Sequence, residues 1–511
     1  MLSSLLPDIL NPNKDSNFDA VNGPGYASPA EACKGPREKY LYITCPSSEP
    51  EKAPDAIVSI DVDPNSETYG QAVSKLMMPN LGDEIHHMGW NICSSCHGCK
   101  DAKRSHLIIT CLLSSRIYIV NAEDPRNLIL TKTIEGETLK KFDVHFPHTI
   151  HCTKNHIMIS TLGDANDNNK CDFLLIDNKT FEPTGTWVKG DINKDNKLFC
   201  YDFWYQPYHK VLISSEWGAP KCVRDKFKPT DVALGYYGHK INIFDFPDGT
   251  LRQTITFEGD EGWCPFEMRF KHDPKDRNAF ILTALGSALY HVYKDSDEDI
   301  EWKHRVAVSI PSKTVKNWIL PTMPSMPTDL VISMDDNYLF MSNWAHGDIR
   351  MYNIRDPFSI KLVGRVFVGG SIHKESGVIV EEDSELVGQP DATYVKGIKI
   401  EGGPHRLMLS LDGKRLYVTN QLFSPWERQF YPQNFISGGK LIQIDVDTEE
   451  KSTAANRMKI NQDFLVDFGT LFDNGIPYFA HEMRYPGGDV VSDIFLVPEK
   501  EGSCCDKRDC D

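Results

Sequence analysis

The stretch from Pro327 to Pro357, PTDLVISMDDNYLFMSNWAHGDIRMYNIRDP, decides the fold. It reads as an apolar strand, an Asp-Asp-Asn turn, a second strand, a His-Gly turn, and a third strand that stops at Asp-Pro. Short runs rich in β-branched and aromatic residues, bounded by Asp, Asn, Gly and Pro, are the signature of strands joined by tight turns. The same sentence recurs along the chain. It starts at His86 (HHMGWN…HLIITCLLSSRIYIVNAEDP), Pro147 (PHTIHCTKNHIMISTLGD…DFLLIDNKT), Cys200 (CYDFWYQPYHKVLISSEWG…KINIFDFPDGT), Pro265, Pro327 and Pro404, and a truncated copy starts at Ala480. The openings fall at His87, His148, Asp202, Glu267, Asp329, His405 and His481, spaced 54 to 76 residues apart. Four short antiparallel strands need about 40–50 residues. Loop insertions such as 374–399 take up the surplus.

These repeats predict an all-β protein, a seven-bladed β-propeller closed by N- and C-terminal strands sharing one blade. The truncated seventh copy lacks its outer strands, and EKYLYITCP, DAIVSIDVD and AVSKLMMP near the N-terminus supply them. Two stacked β-sandwiches would also be rich in strands but would not need the repeated opening. Residues 23–497 are expected to form the propeller, residues 1–22 a mobile N-terminal arm and residues 498–511 a cysteine-containing tail. Helical patterning is visible only near 28–34 and 136–142.

The 511 residues carry 55 Lys and Arg against 72 Asp and Glu, a net charge of −17. A surface that negative repels phosphate backbones, which argues against nucleic acid as a partner. No apolar run approaches the roughly 18 residues of a membrane helix. MLSSLLPDIL lacks the basic start of a secretory signal. The 14 cysteines are too few for a disulfide scaffold, and many lie in apolar strands such as LIITCLL. A cytoplasmic protein with reduced thiols is expected.

In a propeller the opening residue of each blade points toward the axis. The side chains expected to converge are His86, His87, His148, His151, Tyr201, Asp202, Glu267, Asp329, His405, His481 and Glu482. With 17 histidines in the chain, chance seldom places one at four of seven equivalent positions. Gathered imidazoles form a nitrogen-rich site for a first-row transition metal. They suit copper, zinc, iron or nickel, with copper favoured by affinity order. The carboxylates could orient ligand N–H groups or move protons. The blander alternative is a polar channel that holds only water. A second cluster, Cys93-Ser-Ser-Cys96-His97-Gly-Cys99, reads as a redox pair, half a zinc knuckle or unremarkable cysteines. Trp204, Trp217, Trp344 and Trp426 read mostly as strand residues packed between blades. No phosphate loop, GxSxG or HExxH pattern is present.

Long motifs also resemble the selenium-binding protein family: GPGYASPAEACKGPREKYLYI, MPNLGDEIHHMGWNICSSC, LLSSRIYIV, YDFWYQPYHKVLISSEWGAP, NWAHGDIRMYNI, LSLDGKRLYVTN, LFSPWERQFYP, FLVDFGT and AHEMRYPGGDVVSDIF. The resemblance runs from about Gly23 to Phe495. It implies a copper-dependent methanethiol oxidase that converts methanethiol, O2 and water to formaldehyde, hydrogen sulfide and hydrogen peroxide. It also implies metal ligands among His86, His87, His148, His151, His405 and His481, and a base among Glu482, Glu267 and Asp329, with Glu482 favoured by its place beside His481. Gly70, in SETYGQAV, stands where vertebrate relatives carry a cysteine proposed to hold selenium. Cys93 and Cys96 remain as candidate thiols for selenium. The other functional class is a non-catalytic propeller scaffold that sequesters selenium or metal.

Overall fold

A computed structural model describes residues 24–497 except 100, 197 and 450, and leaves the side chains of 195 and 196 undescribed. The expected arm, 1–22, and tail, 498–511, lie outside the described residues. The all-β reading is borne out. Among the described residues, seven four-stranded antiparallel sheets follow one another, with one three-stranded and one two-stranded sheet between them. The second sheet starts with Ile85–Trp90, the third with His145–Cys152, the fourth with Phe203–Gln206, the fifth with Pro265–Phe270, the sixth with Pro327–Ile332 and the seventh with Leu407–Leu409. In the first sheet, Tyr40–Cys45, Ala56–Asp61 and Ala72–Met77 combine with Met483–Arg484. Tyr42 pairs with Arg484 and Ile43 with Met483, so the two distant ends of the described chain do share one sheet.

The apolar core lies between the sheets rather than within one of them. Tyr42 and Ile57 of the first pack with Met88 and Ile109 of the second. Ile108 and Ile119 of the second meet Ile150 and Ile159 of the third. Phe173, Phe203 and Met268 join the third, fourth and fifth. Leu282 and Leu330 join the fifth and sixth, and Phe340, Leu416 and Leu41 carry the core from the sixth through the seventh to the first. Burial on both faces explains strands that are apolar throughout, such as Ile57-Val58 and Leu107-Ile108-Ile109.

A belt of hydroxyls repeats the same succession. Thr44 of the first sheet donates to the His86 carbonyl at 2.9 Å, Thr110 to the His148 carbonyl at 2.9 Å and Ser160 to the Tyr201 carbonyl at 2.6 Å. Ser215 donates to the Phe266 carbonyl at 2.6 Å, Ser342 to the His405 carbonyl at 2.7 Å and Thr419 to the His481 carbonyl at 2.7 Å. Each bond satisfies a buried carbonyl near the start of the next sheet. Thr283 of the fifth sheet departs from the pattern and donates to Glu261 and Ala288.

Both expected helices are present as short turns, Pro29–Ala32 and Gly136–Lys140. The sequence reading missed Ser424–Phe430 and Pro432–Ser437. Trp426 lies in the first of these helices, while Trp217 and Trp344 follow strands. Of the four tryptophans read mostly as strand residues, only Trp204 sits in a strand. The helices escaped because six or seven residues show too little periodicity.

Candidate functional site

The hydroxyl belt fixes which residues are equivalent. The carbonyls it reaches belong to His86, His148, Tyr201, Phe266, His405 and His481, and the spacing in the repeat adds Thr328. The next residue along each sheet gives His87, Thr149, Asp202, Glu267, Asp329, Arg406 and Glu482. The sequence alignment mixed these two registers, taking 148, 405 and 481 from one and 87, 202, 267 and 329 from the other. The reason is physical. The pairing register shifts between Ile85 and Met88, Pro147 and Ile150, Pro265 and Met268, and Pro327 and Asp329. A bulge lets two consecutive side chains reach the same side of a strand. Left-handed residues precede the bulges at Glu84, Phe146, Cys264 and Met326. In the seventh sheet Gly403 comes so close to the Trp344 carbonyl that any Cβ would lie 1.9 Å from it.

The first register is an imidazole layer. The rings of His86 and His481 stack with centroids 3.8 Å apart. His86 lies 5.2 Å from His148 and 4.9 Å from His87. His87 lies 4.0 Å from His148, and His405 4.8 Å from His481. Five of the six expected histidines are therefore together. His151 is not among them, because it sits further along its strand against Phe203 and Trp204, at 5.1 and 4.8 Å.

All five are buried, and four retain unpartnered ring nitrogens: both in His86, Nε2 in His148, Nδ1 in His405 and Nε2 in His481. A buried polar atom without a partner is costly, and so many in one place mark a ligand site. One ring nitrogen each from His86, His87 and His481 fit within 4.8 Å of one another. Burial and then neighbouring cationic charge push His86, His148 and His405 well below the ordinary imidazole value, and His481 to about 3. Neutral imidazoles are the form that binds a metal.

Two of the rings are held by partners that the sequence reading passed over. His481 Nδ1 meets the Gln421 carbonyl at 2.9 Å and its side-chain oxygen at 3.0 Å, which leaves Nε2 with the lone pair. Gln421 also donates to Glu84 at 3.3 Å. His148 Nδ1 meets Thr149 Oγ1 at 3.0 Å, and that hydroxyl donates to Asp202 at 2.9 Å.

The second register is a charged layer centred on Arg406, which the repeat reading also missed. Arg406 Nη1 lies 2.9 Å from Glu267 and 3.3 Å from Asp329, and Nη2 lies 3.5 Å from Glu482 and donates to His87 Nε2. Arg269 joins Asp202 at 2.8 Å and Glu267 at 3.1 Å. Arg484 Nη1 holds Glu482 Oε1 at 2.7 Å, and Glu482 Oε2 faces His87 Nδ1 at 3.1 Å. Burial pushes Glu267 and Asp329 up to about 7. Burial raises Glu482 too, but Arg406 and Arg484 outweigh it and hold that carboxyl down to about 2. The three proposed bases thus share one network, and Glu482 touches an imidazole of the layer.

Cys93 and Cys96 lie elsewhere, in the turn after Ile85–Trp90. Cys93 packs in the apolar cluster with Cys152. Burial raises the Cys93 thiol, but a hydrogen bond from Cys152 and further hydrogen bonds outweigh it and hold it below the ordinary thiol value.

The model of the family described as 56kDa selenium binding protein (SBP56) matches residues 20–496. A methanethiol oxidase of Xenopus laevis is 47% identical over 478 residues, 93% of this chain and 98% of that protein. The Homo sapiens methanethiol oxidase is 45% identical over the same shares. The X-ray structure of a hypothetical selenium-binding protein from Sulfolobus tokodaii superposes with a TM-score of 0.80 at 32% identity, covering 93% of this chain and 99% of that one.

Proposed function

From the premise that this chain belongs to the 56kDa selenium binding protein family, we propose that it is a copper-dependent methanethiol oxidase. It converts methanethiol, O2 and water to formaldehyde, hydrogen sulfide and hydrogen peroxide. The observation that carries the metal is the set of buried, unpartnered imidazole nitrogens on His86, His148, His405 and His481, a donor set that fits copper. We read the seven sheets as blades of a closed propeller, with the imidazole layer on its axis. The succession of apolar clusters from each sheet to the next, and of hydroxyl bonds at every step but that from the fifth sheet to the sixth, supports that reading.

His86 and His481 would hold the ion, with His148 and His405 beside them. His87 joins them only if Arg406 releases its Nε2. Bound copper would take up a soft thiolate and exchange single electrons with O2. The protein supplies the rest. Gln421 keeps the lone pair of His481 on Nε2. Glu482 is the base in this reading. Arg406 and Arg484 keep its carboxylate ionised, Oε2 faces His87 Nδ1 at 3.1 Å, and Arg484 and the Met483 N–H hold its other oxygen at 2.7 and 3.1 Å. A proton from substrate would reach it through His87 once Arg406 releases Nε2. Glu267 and Asp329 balance Arg406 and Arg269 and are weaker candidates for the base. No helix of the described residues is long and apolar enough to cross a membrane. We place the protein in the cytoplasm, where its buried cysteines such as Cys45, Cys111 and Cys264 remain thiols.

The test is sulfide release from methanethiol by copper-loaded protein, together with metal analysis of His481→Ala and His97→Ala. The first variant should weaken copper binding at least about tenfold, as even outer partners of a ligand do, and abolish sulfide release. The second should leave both intact. Copper lost from the His97 variant and kept by the other would move the metal to the cysteine turn and favour a thiol-based scaffold.

A further inference from the structure

Two thiols from neighbouring sheets meet on strands that also carry histidines of the imidazole layer. Cys93 follows the strand Ile85–Trp90, and Cys152 ends the strand His145–Cys152. Four residues of extended strand, about 13 Å, separate Cys152 from His148. Both cysteines are buried, at 1% and 2% exposure, and they share an apolar cluster with Ile494.

The turn that carries Cys93 is clamped from two sides. Tyr26 N donates to Ser94 Oγ at 3.0 Å, and Gly25 comes so close that any Cβ would lie 2.2 Å from that oxygen. Ser94 N donates to Asp493 at 2.8 Å, and Arg104 pairs with the same carboxylate. Inside this clamp the Cys93 sulfur accepts hydrogen bonds from the Cys152 thiol and the Ile494 N–H and lies 3.2 Å from Ser95 Oγ. Three donors around one sulfur favour its thiolate. Burial, and after it Asp493, push the Cys93 thiol up, yet these hydrogen bonds, that of Cys152 foremost, hold it below the ordinary value. Burial and then Cys93 push the Cys152 thiol well above that value, so Cys152 keeps its proton. The pair therefore has unequal members, one suited to attack and one suited to follow.

We propose that Cys93 is a peroxide-reactive thiolate and that Cys152 converts its oxidised form to a disulfide. The Cys93 sulfur attacks one oxygen of hydrogen peroxide, the O–O bond breaks and hydroxide leaves. Sulfur gives two electrons to the peroxide and becomes a sulfenic acid. The Cys152 sulfur then attacks that of Cys93, the S–O bond breaks, and the departing hydroxide takes the Cys152 proton and leaves as water. Peroxide reaches the site where the half-buried Ser95 turns aside. The inference goes beyond the oxidase reading and takes from it only a nearby source of peroxide. Its effect reaches the end of the chain, because a disulfide withdraws the acceptor from the Ile494 N–H, in the segment that follows Met483–Arg484.

The test treats metal-free, full-length protein with hydrogen peroxide, quenches with catalase, alkylates the remaining thiols under denaturing conditions and maps the peptides. The peroxide is added, so a failure of the oxidase reading, seen as no sulfide released from methanethiol, leaves this result untouched. Wild type and Cys96→Ser should both give a Cys93–Cys152 linkage that dithiothreitol reverses. Exchange of the Ile494 amide should quicken at least about tenfold on oxidation, the worth of a hydrogen bond to a charged acceptor. Cys152→Ser should stop at a Cys93 sulfenic acid that dimedone traps, and if that variant does not fold the wild-type map decides. A Cys93–Cys96 linkage, over-oxidised Cys93 beside reduced Cys152, or an unreacted Cys93 would each overturn the proposal. A linked protein with unchanged Ile494 exchange would overturn its effect on the chain end.

Discussion

The two layers of side chains that adjoin along the openings of the sheets are both buried, yet they handle polarity in opposite ways. In the charged layer every carboxylate meets a guanidinium: Arg406 reaches three acids and Arg269 two within 3.5 Å. In the imidazole layer the ring nitrogens are left over. Burying an ion costs several kcal/mol unless it is paired and hydrogen-bonded. Burying a neutral imidazole with a vacant nitrogen costs less and leaves it ready for a ligand. The first layer therefore secures the architecture, while the second keeps its bonding capacity in reserve.

The strongest way to break this contrast is to remove the hub of the charged layer. Arg406→Met leaves Glu267, Asp329 and Glu482 without their shared cation, and urea unfolding should show a loss of about 3–5 kcal/mol. A stability within experimental error of wild type would mean that the network relaxes, and the two layers would not differ as described. A milder probe acts on the imidazole layer. Gln421→Ala removes the side-chain oxygen from His481 Nδ1 and leaves the main-chain carbonyl as its one acceptor, so copper affinity should fall by about tenfold while unfolding stability of the metal-free protein changes little. Equal affinity would show that the main-chain carbonyl and packing suffice to orient the ring.

Smaller still is the expected effect at the cysteine turn. Cys93→Ser combined with Cys96→Ser should lower labelling by selenium or electrophiles and retain at least a tenth of the oxidase activity. A folded but inactive double variant would bring those sulfurs into the reaction.

The smallest effect concerns His272, which lies outside both layers. Its Nδ1 lies 3.1 Å from Asp336 and its Nε2 3.1 Å from the Val490 carbonyl. Both ring nitrogens must donate, so the charged form is held. Burial lowers its proton affinity, but Asp336 outweighs burial and raises it above the ordinary value. A raised histidine contributes its full stabilisation below the unfolded value of about 6.5 and loses it as pH rises through the folded value. Hydrogen exchange at residues 486–496 should therefore quicken as pH rises beyond 6.5, after correction for intrinsic rates. His272→Gln should remove that pH dependence.

Much of this was legible in the sequence because strands and turns are local. The sheet openings, the sharing of one sheet by residues near 40 and 484, and four of the histidine positions follow from patterns within a few residues. The missing parts depend on geometry that residue type does not reveal. Bulges moved Glu267 and Asp329 one register away from His148 and His481, and nothing in the letters announces a bulge except the Pro residues that follow Cys264 and Met326. Arg406 was read past because a guanidinium has no lone pair to offer a metal and does not act as a base, so residue type alone gave it no role at an opening. The hydroxyl belt was within reach: ITC, LIITC, MIST, LISS, FMSN and YVTN each carry a Ser or Thr at one place in the repeat. Gln421 and the short helix bearing Trp426 lie in a long connection between the second and third strands of the seventh sheet that only the fourth sheet, with Lys221–Arg224 and Pro229–Ala233, matches in length, so comparison among repeats has little to offer.

The strand Met483–Arg484 has only two residues, and its partner begins at Tyr40. That closure also delivers His481 to its place against His86. During synthesis the ribosome releases the second to seventh sheets whole and three strands of the first before this residue emerges. A contact spanning such a separation forms late and slowly. A nascent chain would thus carry thiols and imidazoles through the crowded cell without a finished imidazole layer. Redox chemistry that yields hydrogen peroxide would switch on only once the first and last strands had met, which makes topology a timer for activity.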